Sequence, residues 1–195
     1  MSSISGIDTQ LFLFVQSFTG NRVVDTFFLM CAELLVFLIP TVLVYLWFRS
    51  EEARRDSVFT FLTAVAGISL TYGLGLLYFH HQPFSTYNTI VSGGELDNAF
   101  PSQHTASMFS VFWSFLYLKR RKLAWIFGVS GVLTGFGRVF VGLHYPLDIL
   151  GGVVSGLLGL VVAVAVYRYL DSWVDRLIDL SYRVEELIRS WLRNI

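Results

Sequence analysis

Long apolar runs constrain this chain more than any other feature of its sequence. Five stretches of 17 to 25 residues are dominated by apolar side chains and separated by short polar segments. About 20 apolar residues in a helix cross the hydrocarbon core of a bilayer. We therefore predict an all-α integral membrane protein, a bundle with its membrane domain in residues 1–170. The five predicted spans are Asp25–Phe48, Ser57–Phe79, Ser102–Leu118, Leu123–Val141 and Pro146–Leu170.

Composition supports this class and excludes others. Of 195 residues, 54% are hydrophobic and 14% are charged, so neither a disordered chain nor a soluble globule fits. The 14 basic residues are balanced by 14 acidic ones, which argues against nucleic-acid binding.

The third predicted span is short, because 17 residues rise only about 25 Å. We expect its N-terminus to begin below the membrane surface.

The basic residues predict the orientation. Twelve of the 14 Lys and Arg residues fall on one side of the five-span bundle, and only Arg22 and Arg138 fall on the other. The positive-inside rule then places the N-terminus outside and the C-terminus in the cytoplasm of a plasma-membrane protein. All four histidines lie on the outer side in this topology.

Two end segments differ from the spans. The first apolar stretch, Leu11 to Phe18, is too short to cross a bilayer and is interpreted as an interfacial N-terminal helix. Residues 171–195, from Trp173 to Ile195, repeat apolar residues at spacings of three and four, which predicts a cytoplasmic amphipathic helix of the same domain. We favour a helix lying flat on the leaflet; a short coil forming a homodimer is the alternative.

Pairs of glycines four residues apart mark predicted packing faces. Gly131 and Gly135 form one pair in the fourth span, and Gly152 and Gly156 form another in the fifth. Small residues at this spacing let helices approach closely. We expect these pairs to hold the fourth and fifth spans together.

Polar residues gather at the outer ends of three spans. His104 follows Ser102 at the start of the third span, and Arg138, His144 and Asp148 surround the connection between the fourth and fifth. Ionisable residues at membrane depth are costly and are usually functional. Ser102 can cap the third span, and Pro146 suits the first turn of the fifth.

This arrangement suits phosphate. Two helix N-termini would face one recess, and the Arg138 guanidinium matches two phosphate oxygens. Asp148 lies four residues after His144, so it can accept the Nδ1 proton and leave the other ring nitrogen as a nucleophile. His104 can then protonate a leaving oxygen. Activity would need neutral His144 and protonated His104, which predicts a bell-shaped pH profile.

Two motifs resemble those of the type-2 phosphatidic acid phosphatase superfamily. One is Pro101-Ser102-Gln103-His104, and the other is Gly137-Arg138 followed by His144 after five residues and by Asp148 after three more. Its second motif is Pro-Ser-Gly-His and its third is Ser-Arg, five residues, His, three residues, Asp. The flanking residues are similar to the bacitracin-resistance type of undecaprenyl pyrophosphate phosphatase over nearly the whole chain.

The resemblance implies a lipid pyrophosphate phosphatase that uses a phosphohistidine intermediate and neither metal nor cofactor. The implied catalytic residues are His144 as nucleophile, Asp148 to orient it and His104 as acid. The implied substrate-binding residues are Arg138, Ser102, Gln82 and Gln103. The implied substrate is a polyprenyl pyrophosphate embedded in the lipid bilayer.

The chain departs from the superfamily in three places. The first motif of the superfamily is a Lys, then six residues, then Arg-Pro. In this chain Gly75 replaces that Lys and Gln82 replaces that Arg. Gly137 replaces the Ser of the third motif. Two roles stay open for Gln82: a phosphate contact and a neutral structural role. We interpret His80 and His81 as solvated interfacial residues; the alternative is that one of them supplies the missing positive charge.

Other assignments stay open. Glu95 and Asp97 are interpreted as polar loop residues, and Glu33 needs a polar partner inside the first span. Metal binding is disfavoured because no His-x-His or His-x-x-x-His spacing occurs. Two alternative functions remain: a phosphatase or phosphotransferase acting on another lipid phosphate, and a non-catalytic lipid-phosphate-binding protein of the same fold.

Overall fold

The computed structural model describes residues 4–92 and 98–193, so the predictions for Glu95, Asp97 and Ile195 lie outside the described residues. Short 3-10 turns occur at Leu35–Phe37 and Pro83–Ser85. The helices in chain order are α1 Ile4–Gln16, α2 Arg22–Leu34, α3 Leu38–Trp47, α4 Glu51–Leu77, α5 Gln103–Tyr117, α6 Arg121–Phe140 and α7 Pro146–Arg193.

The all-helical membrane architecture is confirmed, and the third span is short, as predicted. Within the described residues, four segments are long and apolar enough to cross a bilayer: Arg22–Trp47, which joins α2 to α3, then α4, α6 and α7. The predicted third span is α5, whose 15 residues rise about 22 Å, less than the hydrocarbon thickness. Its Ser102 cap, which begins the helix as predicted, is fully buried.

The predicted division between a fifth span and a separate tail helix is wrong. Helix α7 runs unbroken for 48 residues from Pro146 to Arg193. The physical reason is visible in the sequence, because residues 160–193 contain neither Gly nor Pro. A tail lying flat on the membrane needs a turn after the span, and α7 has none.

The extension of α7 packs against the beginning of α4. Val174 and Ile178 are buried there. The buried Arg54 guanidinium donates to Glu185 Oε1 at 2.8 Å and to Ser181 Oγ at 2.5 Å, and it lies 4.2 Å from the ring centroid of Tyr182. These contacts fix the extension to the bundle, whereas apolar residues farther along it, such as Leu187, are exposed.

Helix α5 lies at the centre of the bundle and separates α6 from α7. A Cβ atom on Gly152 would lie 2.7 Å from the Ser102 carbonyl oxygen, and one on Gly156 would lie 2.8 Å from the Ser110 amide nitrogen. Both glycines therefore pack on α5, and Gly131 also faces α5. The expectation that the glycine pairs join α6 to α7 is wrong. Of the two glycines on α6 only Gly135 faces α7, and the described parts of the two helices scarcely touch.

Helix α1 fastens the ends of α6 and α7. Gln16 Nε2 donates to the carbonyl oxygens of Val139 and Phe140, both at 2.9 Å, and Asp8 Oδ1 accepts from the Leu147 backbone N–H at 2.9 Å. The helix begins at Ile4, earlier than the apolar stretch predicts. It therefore holds both ends of the connection between α6 and α7, which carries His144.

Candidate active site

The start of α7 places Asp148. Pro146 is the first residue of the helix, as predicted, and Asp148 lies in its first turn with its side chain fully buried. Asp148 Oδ2 accepts from the Tyr145 backbone N–H at 2.7 Å. A carboxylate that reaches back to the residue before the helix is half of a capping box, so the helix start itself orients Asp148.

The connection between α6 and α7 places His144. Gly142 has a φ of +90°, which a residue with a side chain rarely adopts. The turn buries His144 and points its Nδ1 at the Ala99 carbonyl oxygen, 2.8 Å away. A carbonyl oxygen only accepts hydrogen bonds, so Nδ1 carries the proton and Nε2 carries the lone pair. Nε2 accepts a long hydrogen bond from Arg138 Nη2, at 3.4 Å.

The predicted Asp148–His144 hydrogen bond is replaced by a longer contact. Asp148 Oδ2 lies 3.8 Å from His144 Nδ1, beyond hydrogen-bond distance. The other carboxylate oxygen, Oδ1, lies 2.8 Å from Nδ1 of His80. The interpretation of His80 as a solvated interfacial residue is therefore wrong, whereas His81 is exposed, as expected.

Arg138 has the polar neighbours that a phosphate-binding residue needs. Its Nη1 donates to Glu33 Oε1 at 2.7 Å, which supplies the partner that Glu33 was expected to need. Its buried Nε has no hydrogen-bond partner in the part of the chain that the structure describes. The guanidinium therefore joins the nucleophile candidate to an acidic residue of α2 and keeps a donor unused.

His104 lies at the same site. The ring is half-buried and interacts electrostatically with both Arg138 and His144. The first turn of α5 brings it there, because the Ser102 backbone N–H donates to the Asp148 carbonyl oxygen at 3.0 Å and so ties α5 to α7. The structure thus brings together four of the predicted residues: His104, Arg138, His144 and Asp148.

The other three predicted residues are placed differently. The fully buried Ser102 Oγ accepts from the Thr105 backbone N–H at 3.5 Å, as a helix cap does, and from Thr105 Oγ1 at 3.1 Å. Gln103 lines a recess of about 260 Å³ between α4 and α5 that no histidine lines. Gln82 is buried beside the His144 connection, since the nearby Phe84 N–H donates to the Gly142 carbonyl at 3.1 Å. Their phosphate contacts stay predictions.

Gly137, the replacement for the motif Ser, does not face the site. A Cβ atom there would lie 2.8 Å from the Phe28 carbonyl oxygen and 3.0 Å from the Ala32 amide nitrogen of α2. Those are backbone atoms, so they cannot rotate away. The glycine lets α2 approach α6, and with it Glu33 approach Arg138.

Burial and charge set the protonation of the two loop histidines. Burial, helped by the nearby Arg138 charge, lowers the pKa of His144 below its ordinary value. The hydrogen bond to Asp148 raises the pKa of His80 above its ordinary value. At neutral pH His144 is therefore an uncharged base with an available lone pair, and proton binding at His80 is favoured.

Sequence reasoning missed two partners of the site. The Ala99 carbonyl that holds His144 is a backbone group, which no motif identifies. His80 reaches Asp148 because an antiparallel bridge pairs His81 with Asn98, and the His80 N–H donates to Asn98 Oδ1 at 2.9 Å. The only sequence signal was the position of His80, two residues before Gln82, where the family has Arg.

A neutral imidazole held in a buried turn beside a guanidinium is suited to attack on phosphorus. On an all-helical bundle with membrane-spanning helices, it defines a membrane-bound phosphatase.

Comparison with known proteins agrees. The family model described as the PAP2 superfamily matches residues 58–172, and the chain belongs to this superfamily. It is thus a membrane lipid phosphatase.

Three similar proteins refine the comparison. Undecaprenyl-diphosphatase BcrC of Bacillus subtilis is 30% identical over 86% of each chain. The putative undecaprenyl-diphosphatase YbjG of Escherichia coli is 28% identical over 84% of this chain and 85% of its own length. The crystal structure of the transmembrane PAP2 type phosphatidylglycerolphosphate phosphatase from Bacillus subtilis has a TM-score of 0.65 at 20% identity, covering 87% of this chain and 89% of that one. This last likeness concerns the fold.

Proposed function

We propose that the protein removes the terminal phosphate of a polyprenyl pyrophosphate, most directly undecaprenyl pyrophosphate, at the outer face of the plasma membrane. The observation that carries the proposal is the state of His144: Nδ1 is bound to the Ala99 carbonyl, so the Nε2 lone pair faces Arg138. The undecaprenyl-diphosphatase relatives, aligned over most of the chain, support the choice of substrate.

In the first step His144 Nε2 attacks the terminal phosphorus. The bond between that phosphorus and the bridging oxygen breaks. His104, whose protonation is favoured by the negative charge of the bound pyrophosphate, gives its proton to the departing polyprenyl phosphate. Arg138 stabilises the charge on the transferred phosphoryl oxygens. The His144 ring becomes positively charged, and Ala99 and Asp148 stabilise that charge at Nδ1.

In the second step water attacks the phosphohistidine. His104, now neutral, takes a proton from the water, the nitrogen–phosphorus bond breaks, and inorganic phosphate leaves. His144 regains its lone pair, and His104 regains its proton. No metal takes part in either step.

An apolar groove offers a place for the polyprenyl chain. It encloses about 450 Å³ between α6 and α7, and its lining is apolar throughout. Phe109 of α5 forms part of its wall, and the lack of a side chain at Gly131 leaves room for the Phe109 ring. Val139 and Ile149 line the end near the site, next in sequence to Arg138 and Asp148. A chain lying here would keep its isoprene units beside the lipid.

The outer-face assignment is supported by the distribution of charge. Basic residues such as Arg54 and Arg120 pair with acidic ones at the end of the bundle opposite His144, and the positive-inside rule puts that end in the cytoplasm. The site then faces outward, as proposed.

The test is phosphate release by the purified protein in right-side-out vesicles with EDTA present. Undecaprenyl pyrophosphate, phosphatidic acid and phosphatidylglycerol phosphate would be supplied singly and in competition. We expect the highest kcat/KM for the pyrophosphate. Preference for a phosphomonoester would favour the first alternative function, and binding without release would favour the non-catalytic one.

A further inference from the structure

His80 is the one histidine at the site that the mechanism above does not use. Its Nδ1 lies 2.8 Å from Asp148 Oδ1. Its ring stacks on Tyr145, with centroids 4.7 Å apart and planes 22° apart, and its backbone N–H is held by Asn98. An imidazole fixed at both its ring and its backbone is not a solvated surface group.

The contact determines how the Asp148 carboxylate lies. His80 holds Oδ1, and the Tyr145 N–H holds Oδ2 at 2.7 Å, so rotation of the carboxylate would break both bonds. In this orientation Oδ2 is the oxygen that faces His144 Nδ1, at 3.8 Å.

We propose that His80 is a positioning residue whose protonated ring holds Asp148 in place to stabilise the charge that His144 acquires when it is phosphorylated. The inference rests on the proposed function. It assigns to His80 a role that the sequence motifs leave unassigned, and it gives the site a positive group two residues from Gln82, where the family has Arg.

The surroundings favour a charged His80. The buried Asp148 carboxylate faces it from α7, and Asp8 of α1 adds a second negative charge. The aromatic rings facing it belong to Tyr145 and Tyr78, with the Tyr78 centroid 6.0 Å away. The hydrogen bond to Asp148 raises the pKa of His80 above its ordinary value.

Loss of the proton should weaken this arrangement without abolishing it. Neutral imidazole can keep a proton on Nδ1 and still donate to Asp148, although a neutral hydrogen bond is about half as strong as a charge-assisted one. The contribution of His80 to kcat should therefore fall to a lower, constant value as the pH rises through its pKa. Loss of a general acid would instead take the rate towards zero.

The experiment compares His80→Asn, His80→Ala and, as a matched control, His81→Asn. The Asn amide nitrogen replaces imidazole Nδ1 but cannot carry the charge, and His81 is the exposed neighbour. Wild-type kcat divided by His80→Asn kcat is measured with undecaprenyl pyrophosphate from pH 5 to 9. The pKa values of His144 and His104 are fitted separately in each protein, and the ratio is taken at each pH between the fitted rates of the forms with neutral His144 and protonated His104.

We expect the ratio to exceed one at low pH and to fall towards one as His80 loses its proton. His80→Ala should lower kcat on the order of ten- to a hundredfold with little change in KM, and His81→Asn should match wild type. A ratio independent of pH, or His80→Ala with wild-type kcat, overturns the proposal. A rise in KM alone also overturns it, because His80 would then bind substrate directly.

A second measurement does not depend on turnover. The pKa of His80 is read from its imidazole NMR signals in the wild type and in Asp148→Asn, and it should fall in the variant. An unchanged pKa overturns the positioning role. If the wild type releases no phosphate from any lipid, the proposed function fails, whereas the NMR comparison still decides whether His80 depends on Asp148.

Discussion

The two ends of the helical bundle contain the same kinds of charged residue but use them differently. At the end formed by Arg54, Arg120 and the α7 extension, Arg120 Nε lies 2.6 Å from Asp56 and Arg120 Nη2 lies 2.7 Å from Glu52. At the other end the buried Arg138 Nε has no partner among the described residues, and the His144 Nε2 lone pair accepts a long hydrogen bond of 3.4 Å from Arg138 Nη2. Paired charges hold helices together, whereas the unused donor and the weakly bonded lone pair are available to a substrate.

Removing the nucleophile should have the largest effect. His144→Ala is expected to lower phosphate release at least about a thousandfold, because it removes the nitrogen that attacks phosphorus. The measurement is inorganic phosphate release in detergent, normalised to folded protein. Activity within tenfold of wild type would show that His144 is not the nucleophile, and the contrast between a structural end and a catalytic end would fail.

The matched change at the other end is Arg54→Ala. It removes the ion pair to Glu185 and the hydrogen bond to Ser181, so we expect a loss of about 2–3 kcal/mol in the free energy of unfolding, below the full range for a buried pair because Glu185 is partly solvated. SDS-induced unfolding measures this loss. The kcat of the folded fraction should stay at the wild-type value, and a large drop in it would link this end to the chemistry.

A third change sharpens the comparison by testing the groove between the ends. Leu150→Trp partly fills it, and Leu157→Trp is the control on the same helix outside its lining. We expect kcat/KM for undecaprenyl pyrophosphate to fall about fivefold relative to farnesyl pyrophosphate in Leu150→Trp only, since one lost chain contact is worth about 1 kcal/mol. Equal effects on both substrates would place the polyprenyl chain elsewhere.

The smallest expected effect concerns the acid side of the pH profile. Burial lowers the pKa of His144 below 6.5, and the rate depends on the neutral ring. Activity is therefore retained as pH falls to 6.5 and is lost only as pH falls through the lowered pKa. The dependence of kcat/KM on pH measures this midpoint. A midpoint above 6.5 would mean that His144 is more exposed to water, or closer to a negative charge, than the structure indicates.

Sequence reasoning predicted the helical class and the residues whose roles follow from local spacing. The Arg138–His144–Asp148 spacing, the Ser102 cap and Pro146 at a helix start all lie within short segments, where chain geometry limits the alternatives. The position of α5 between α6 and α7 was not predictable in this way, because glycine spacing marks a face for close packing and does not identify the partner helix.

The same limit applies to the site. The His80–Asp148 contact joins residues 68 positions apart, and the Ala99 carbonyl has no residue type by which a pattern could recognise it. The continuity of α7, in contrast, could have been predicted, because nothing in residues 160–193 interrupts a helix. The apolar periodicity of the tail favoured a separate amphipathic helix, and the continuity of α7 was therefore missed.

The separation of α6 from α7 has a kinetic consequence for an enzyme whose substrate diffuses in two dimensions. A chain that enters sideways between these helices never leaves the leaflet, so the collision rate follows the number of substrate molecules per unit of membrane area. Diluting the vesicles with buffer should leave the turnover per enzyme unchanged, whereas diluting the substrate with inert phospholipid should lower it.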